Sequence, residues 1–158
     1  VFGLPFTGKE KNAFSGRRSP GRIMSVGAGD GWLEKTLENL GCEVTGVDPS
    51  AGARDLYAGS HLQADCTGIE QYRTVVFCES LEHVPIGQIR DIWQRIRNGS
   101  VPDTRIIAVN WPSYFPLGII MKDWDHITRL DEQLYDELCA GFDVIVRWGS
   151  HFVLDGPR

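Results

Sequence analysis

Three glycines alternate in Gly27-Ala28-Gly29-Asp30-Gly31, and what flanks them leaves few folds open. Arg22, Ile23, Met24, Ser25 and Val26 come before, a short apolar run that reads as a buried strand. Trp32, Leu33, Leu37 and Leu40 follow at near-helical spacing, and Gly41 suits the residue just past a helix end. Cys42 to Val47 is a second apolar run, closed by Asp48. Alternating glycines permit a tight turn and close approach of backbone to a ligand. Strand, glycine turn, helix, strand and acid together open a nucleotide-binding βαβ unit. The N–H groups at the helix start face an anionic group, and a carboxylate at the second strand's end can accept both hydroxyls of a ribose.

The rest of the chain keeps the alternation. Pro49 to Gly59 reads as a short helix and turn, and His61 to Ala64 as a weak third strand ending at Asp65-Cys66. Arg73 to Cys78 is nearly continuously apolar, as a central parallel strand should be. Ile86, Ile89, Ile92, Trp93 and Ile96 mark one helix face, closed by Asn98-Gly99. Arg105 to Asn110 reads as the fifth strand, and residues 111–126 as an aromatic insertion. Thr128-x-x-Asp131 is expected to cap a helix carrying Leu130, Leu134 and Leu138. Phe142–Trp148 and Ser150–Leu154, split by Gly149, read as an antiparallel hairpin. The fold class is therefore α/β: a Rossmann-like, mostly parallel seven-stranded sheet with a terminal antiparallel hairpin and helices on both faces.

A dinucleotide fingerprint needs a third glycine where this chain has Trp32. The pattern Gly27-x-Gly29-x-Gly31 with Asp48 instead resembles motif I of the class I S-adenosylmethionine-dependent methyltransferases, over roughly residues 20–155. That resemblance implies S-adenosyl-L-methionine as cofactor and S-adenosyl-L-homocysteine as product. It implies cofactor contacts at Gly27, Ala28, Gly29, Gly31, Asp48 and Glu79, with Asp65 and Cys66 at the adenine; Leu62-Gln63-Ala64-Asp65 is similar to the family's motif there. One position departs from the pattern: the family's acid two residues before the first glycine is Ser25 here. A hydroxyl holds a ligand ammonium more weakly than a carboxylate does.

Glu79, Glu82 and His83 stand at i, i+3 and i+4, and a helical turn there brings them to one side. The stretch Glu-Ser-Leu-Glu-His-Val-Pro is similar to that of ubiquinone-type small-molecule O-methyltransferases, which implies Glu82 and His83 as catalytic groups without a metal. It is also similar to small-RNA 3′-terminal 2′-O-methyltransferases, whose pattern implies a divalent metal on Glu79, Glu82, His83 and His126. No Asn/Asp-Pro-Pro-Tyr, the motif of methyltransferases that act on planar amino groups, follows the fourth strand; within the resemblance this favours oxygen or an unhindered amine as acceptor. The expected activity is methylation of a small-molecule hydroxyl. Its alternatives are metal-assisted ribose 2′-O-methylation of RNA and a non-catalytic domain that serves assembly.

At 158 residues the chain is expected to hold an N-terminal arm, 1–20, and one cofactor-binding domain, 21–158. The arm is basic within a chain of net charge −5, so RNA is a possible partner but non-specific duplex binding is disfavoured. No apolar run reaches membrane-spanning length and no signal peptide is visible. Four cysteines without a C-x-x-C pair read as reduced thiols, hence a cytoplasmic setting. Val1 in place of an initiator Met suggests a piece of a longer product.

Overall fold

A computed structural model describes residues 21–99, 104–110, 126–148 and 151–157. The expected arm, residues 1–20, and the aromatic residues 111–125 lie outside the described residues. The strands are β1 (Arg22–Val26), β2 (Glu43–Val47), β3 (Leu62–Gln63), β4 (Thr74–Cys78), β5 (Arg105–Val109), β6 (Phe142–Trp148) and β7 (His151–Pro157). The helices are α1 (Trp32–Asn39), α2 (Ala51–Leu56), α3 (Ile86–Asn98) and α4 (Glu132–Cys139).

The seven strands form one sheet in the order β3-β2-β1-β4-β5-β7-β6. The first five are parallel, and β7 inserts antiparallel between β5 and β6. From β1 the chain moves outward through β2 to β3, then returns to β4 and proceeds the other way. Right-handed crossovers in opposite directions put α1 and α3 on opposite faces. The reversal lies between β1 and β4, so the crevice outside their carboxyl ends is the topological switch point.

Local chemistry explains the ends of α1. The Asp30 carboxylate accepts the Trp32 N–H at 3.0 Å, which compensates for a glycine at the cap position. At the other end Gly41 takes φ +86°; its N–H bonds the Glu38 carbonyl and the Cys42 N–H bonds that of Leu37, a Schellman closure. In the core, Phe77, Trp93, Tyr135 and Phe152 pack ring to ring between the sheet, α3 and α4. The Trp93 indole donates to the Leu138 carbonyl at 2.9 Å, and Arg97 donates to carbonyls at the end of α4. These bonds fasten α4 to α3, and through α3 one wall of the crevice is fixed.

Two expectations need correction. The third strand has two residues, because only Leu62 and Gln63 pair with β2. The cap of α4 is Asp131, whose carboxylate accepts the Leu134 N–H at 3.0 Å; Thr128 is not the cap. The Thr128 hydroxyl donates instead to the Val84 carbonyl at 2.6 Å, a tertiary bond that a local capping pattern does not reveal.

Candidate active site

The glycine turn is built from two constraints. Gly27 takes φ +79°, and a Cβ there would collide with the Cβ of Ser80. Gly31 takes φ +78°, and a Cβ there would lie 2.7 Å from the Tyr57 ring. Both positions therefore exclude side chains by backbone conformation and by space. Gly29 also has φ +54°, but a Cβ there would meet nothing within 4 Å. Its open side is the cleft.

That cleft encloses about 590 Å³ at the carboxyl ends of β1, β2 and β4, within the range of small-ligand sites. Of the residues expected at the site, Gly27, Gly29, Asp48, Asp65, Cys66, Glu79 and His83 line it. Ala28, Gly31 and Glu82 do not: the Ala28 N–H is spent on the Val47 carbonyl, Gly31 backs onto Tyr57, and Glu82 is buried. Asn110, at the end of β5, is buried away from it as well.

Asp48 ties the turn to the second strand. Its carboxylate accepts the Gly29 N–H at 3.0 Å through Oδ2 and the Ser50 N–H at 2.8 Å through Oδ1. Each oxygen keeps a lone pair for a further donor. Asp65 accepts the Thr67 N–H at 2.8 Å, and hydrogen bonds from the Thr67 hydroxyl and backbone hold its carboxyl below the usual range. Beside it, burial pushes the Cys66 thiol up to about 11, so this cysteine is an apolar wall rather than a nucleophile.

After β4 the chain kinks sharply. Glu79 takes φ +49°, an uncommon conformation for a side-chain-bearing residue, and its N–H bonds the Val109 carbonyl at 2.6 Å. A single 3₁₀ turn, Leu81–His83, follows. The kink separates the three residues expected on one side: Glu79 and His83 face the cleft, and Glu82 turns inward with 1% exposure. The Glu82 carbonyl accepts the N–H groups of both Ile127 and Thr128 at 3.0 Å. That clamp lays the His126 ring edge-on against His83, centroids 4.7 Å apart. One ligand atom each from Glu82, His83 and His126 falls within 4.8 Å of the others, while Glu79 stands outside this cluster.

The opposite wall carries no sequence motif. Gln88, Asp91, Ile92 and Arg95 of α3 line the cleft, and Arg95 also donates to the Cys66 carbonyl at 3.1 Å. Their spacing of three and four residues, one step round from the buried Ile89, Trp93 and Ile96, was the available signal. Among the described residues no helix is long and apolar enough to cross a membrane.

Residues 5–146 match the model of a methyltransferase domain family. The chain is 32% identical over 117 residues to the ubiquinone biosynthesis O-methyltransferase of Nitrobacter winogradskyi, covering 65% of this chain and 44% of that protein. It thus spans less than half the length of that curated relative. Among solved structures it is similar to a SAM-dependent methyltransferase from Archaeoglobus fulgidus, at TM-score 0.70 and 15% identity over 86% of this chain and 67% of that one. A glycopeptide N-methyltransferase solved with S-adenosylmethionine has TM-score 0.63 and 17% identity over 94% and 91% of the two chains. At these identities the structural likenesses speak for the fold.

Proposed function

The chain belongs to the methyltransferase domain family, and from that premise we propose that it binds S-adenosylmethionine in the cleft and transfers the methyl group to a hydroxyl of a small molecule. One observation carries the reading: Asp48 at the cleft wall, anchored by the Gly29 and Ser50 N–H groups with acceptor capacity to spare. Those lone pairs suit the two ribose hydroxyls. Asp65 and Cys66 then flank the adenine, and the sulfonium and amino-acid tail fall towards Gly27, Glu79 and Ser80.

Methyl transfer is an in-line displacement. The acceptor oxygen forms a bond to the methyl carbon as the carbon–sulfur bond breaks, and its electron pair leaves on sulfur as S-adenosylhomocysteine. The chain's work is alignment and removal of the hydroxyl proton. His83, on the cleft wall, would take that proton, with the His126 ring packed edge-on against it and the Glu82 carboxylate nearby. The ubiquinone O-methyltransferase relative supports a hydroxyl acceptor.

A second reading is favoured by the gathering of Glu82, His83 and His126. Two imidazoles and a carboxylate fit a divalent ion such as Mn²⁺ better than Mg²⁺, which prefers oxygen ligands and water. Bound there, an ion would lower the pKa of an acceptor hydroxyl, and vicinal ribose hydroxyls of RNA would be suitable acceptors. Calorimetric titration with S-adenosylmethionine and S-adenosylhomocysteine tests the cofactor. Turnover on phenolic small molecules and on RNA 3′ ends, with and without chelator, tests the acceptor. Cofactor binding without turnover on either panel would favour a non-catalytic role.

A further inference from the structure

One buried acid has no part in the chemistry above. Glu34 lies in the first turn of α1 and is 1% exposed. Both of its carboxylate oxygens are shielded from solvent and lack a hydrogen-bond partner among the described residues. The Ser25 hydroxyl and the Glu34 backbone N–H approach the carboxyl and partly offset its burial, though neither meets full hydrogen-bonding geometry. The other groups around it are Asp30 on the glycine turn, Glu38 one turn further along α1, Tyr57 after α2 and Cys78 at the end of β4. None of them is cationic. Burial raises the Glu34 carboxyl above its ordinary range, and Asp30 and Glu38 push the same way.

Its position relates it to the cleft. Ser25 is followed by Val26 and Gly27, and Cys78 by Glu79 and Ser80; all four of these successors line the cleft. Glu34 therefore sits one residue layer behind the floor where the cofactor's sulfonium and amino-acid tail fall. An ionised carboxylate without a partner is heavily disfavoured in such a place, and a cation across a thin, poorly polarisable floor relieves it.

We propose that Glu34 is the buried counter-charge through which this cleft favours positively charged S-adenosylmethionine over its neutral-sulfur product S-adenosylhomocysteine. The inference rests on the cofactor reading given above. Glu34 acts as a positioning residue: burial favours its protonated form while the cleft is empty, and the arriving cation favours release of that proton to solvent. Loss of the sulfonium charge on methyl transfer lets the proton return and weakens the hold on product.

The test is calorimetry of both ligands with the wild-type protein and Glu34→Gln, in buffers of different ionisation enthalpy, between about pH 5 and 8. The wild-type protein should release up to about one proton on binding S-adenosylmethionine and less on binding the product, with cofactor affinity rising by up to about tenfold per pH unit where Glu34 is protonated. Glu34→Gln should lose that release and bind the cofactor roughly tenfold more weakly at the upper end of the range, with a smaller loss for the product. His83 and the cleft carboxylates are common to both proteins, so the difference isolates Glu34. Equal weakening for both ligands, or proton release in Glu34→Gln undiminished from that of the wild-type protein, overturns the inference. Should the variant not fold, equal proton release by the wild-type protein on the two ligands overturns it. If neither ligand binds the wild-type protein, the cofactor reading itself falls and takes this inference with it.

Discussion

The carboxylate of Asp48 accepts the Gly29 N–H at 3.0 Å and so locks the glycine turn to the end of the second strand. In the proposed reading the same side chain both pins the turn and accepts the ribose hydroxyls. The two roles separate on mutation. Asp48→Asn keeps a carbonyl oxygen for one backbone N–H but loses the charge. Asp48→Ala loses everything. Cofactor affinity should fall by roughly 2–4 kcal/mol in Asp48→Ala, the worth of two charge-assisted hydrogen bonds, and by less in Asp48→Asn. Calorimetry on folded variants measures this, and unchanged affinity in Asp48→Ala would place the ribose elsewhere.

The glycines of the turn make different demands. Gly27→Ala meets both a positive φ and the Ser80 Cβ, so it should destabilise the domain well beyond the conformational cost alone. Gly29→Ala meets only the conformational cost, about 1–2 kcal/mol, because no atom lies within 4 Å of its Cβ. The ligand-free fold thus has room for a side chain at Gly29, and in the proposed reading the cofactor would fill that room. Thermal melts should therefore rank Gly27→Ala far below Gly29→Ala, while cofactor titration finds both impaired. Equal melting temperatures would contradict the packing at Ser80.

The turn was legible in the sequence because its signals are local: alternating glycines, an acid one strand later, and helical spacing in between. The topological switch followed from the alternation of strand and helix patterns. What was not legible depends on contacts between distant residues. Glu79, Glu82 and His83 have helical spacing, yet the backbone kink at Glu79 turns Glu82 inward. Thr128 has the residue type of a helix cap, yet its hydroxyl is claimed by Val84. His126 reaches His83 only because two successive N–H groups grip the Glu82 carbonyl. No property of an isolated stretch encodes those bonds.

Glu34 also makes the empty protein's stability depend on pH. Its carboxyl is raised above 4.5 in the folded chain, chiefly by burial. The native state therefore holds a proton that the unfolded state has already lost, and stability must fall as pH rises from about 4.5 through the native titration. Glu34→Gln removes that slope. Melting curves should show the variant more stable than the wild-type protein by a few degrees near pH 8, with the gap closing towards acid pH. A gap that widens towards acid would mean that the carboxylate is paired in the folded protein.

The pairing of His83 with His126 divides the two readings of the chemistry. If His83 takes the proton directly, chelator leaves turnover unchanged and His83→Ala costs about 10²–10⁴-fold in rate. His126→Ala then costs much less, since that ring only supports its neighbour. If the pair holds a divalent ion with Glu82, chelator abolishes turnover, Mn²⁺ restores it, and either histidine variant is equally damaging. Glu79→Ala sharpens the comparison, because Glu79 lines the cleft but stands outside the cluster: it should weaken cofactor binding without altering any response to metal. Thr128→Val provides the structural control, loosening the segment that presents His126 without touching an imidazole. The metal-free outcome is the expected one, since the stretch Glu79–Pro85 resembles that of the ubiquinone-type O-methyltransferases. Turnover that dies with chelator and returns with Mn²⁺ would transfer the assignment to the metal, and with it the weight from a small-molecule hydroxyl to the ribose of an RNA.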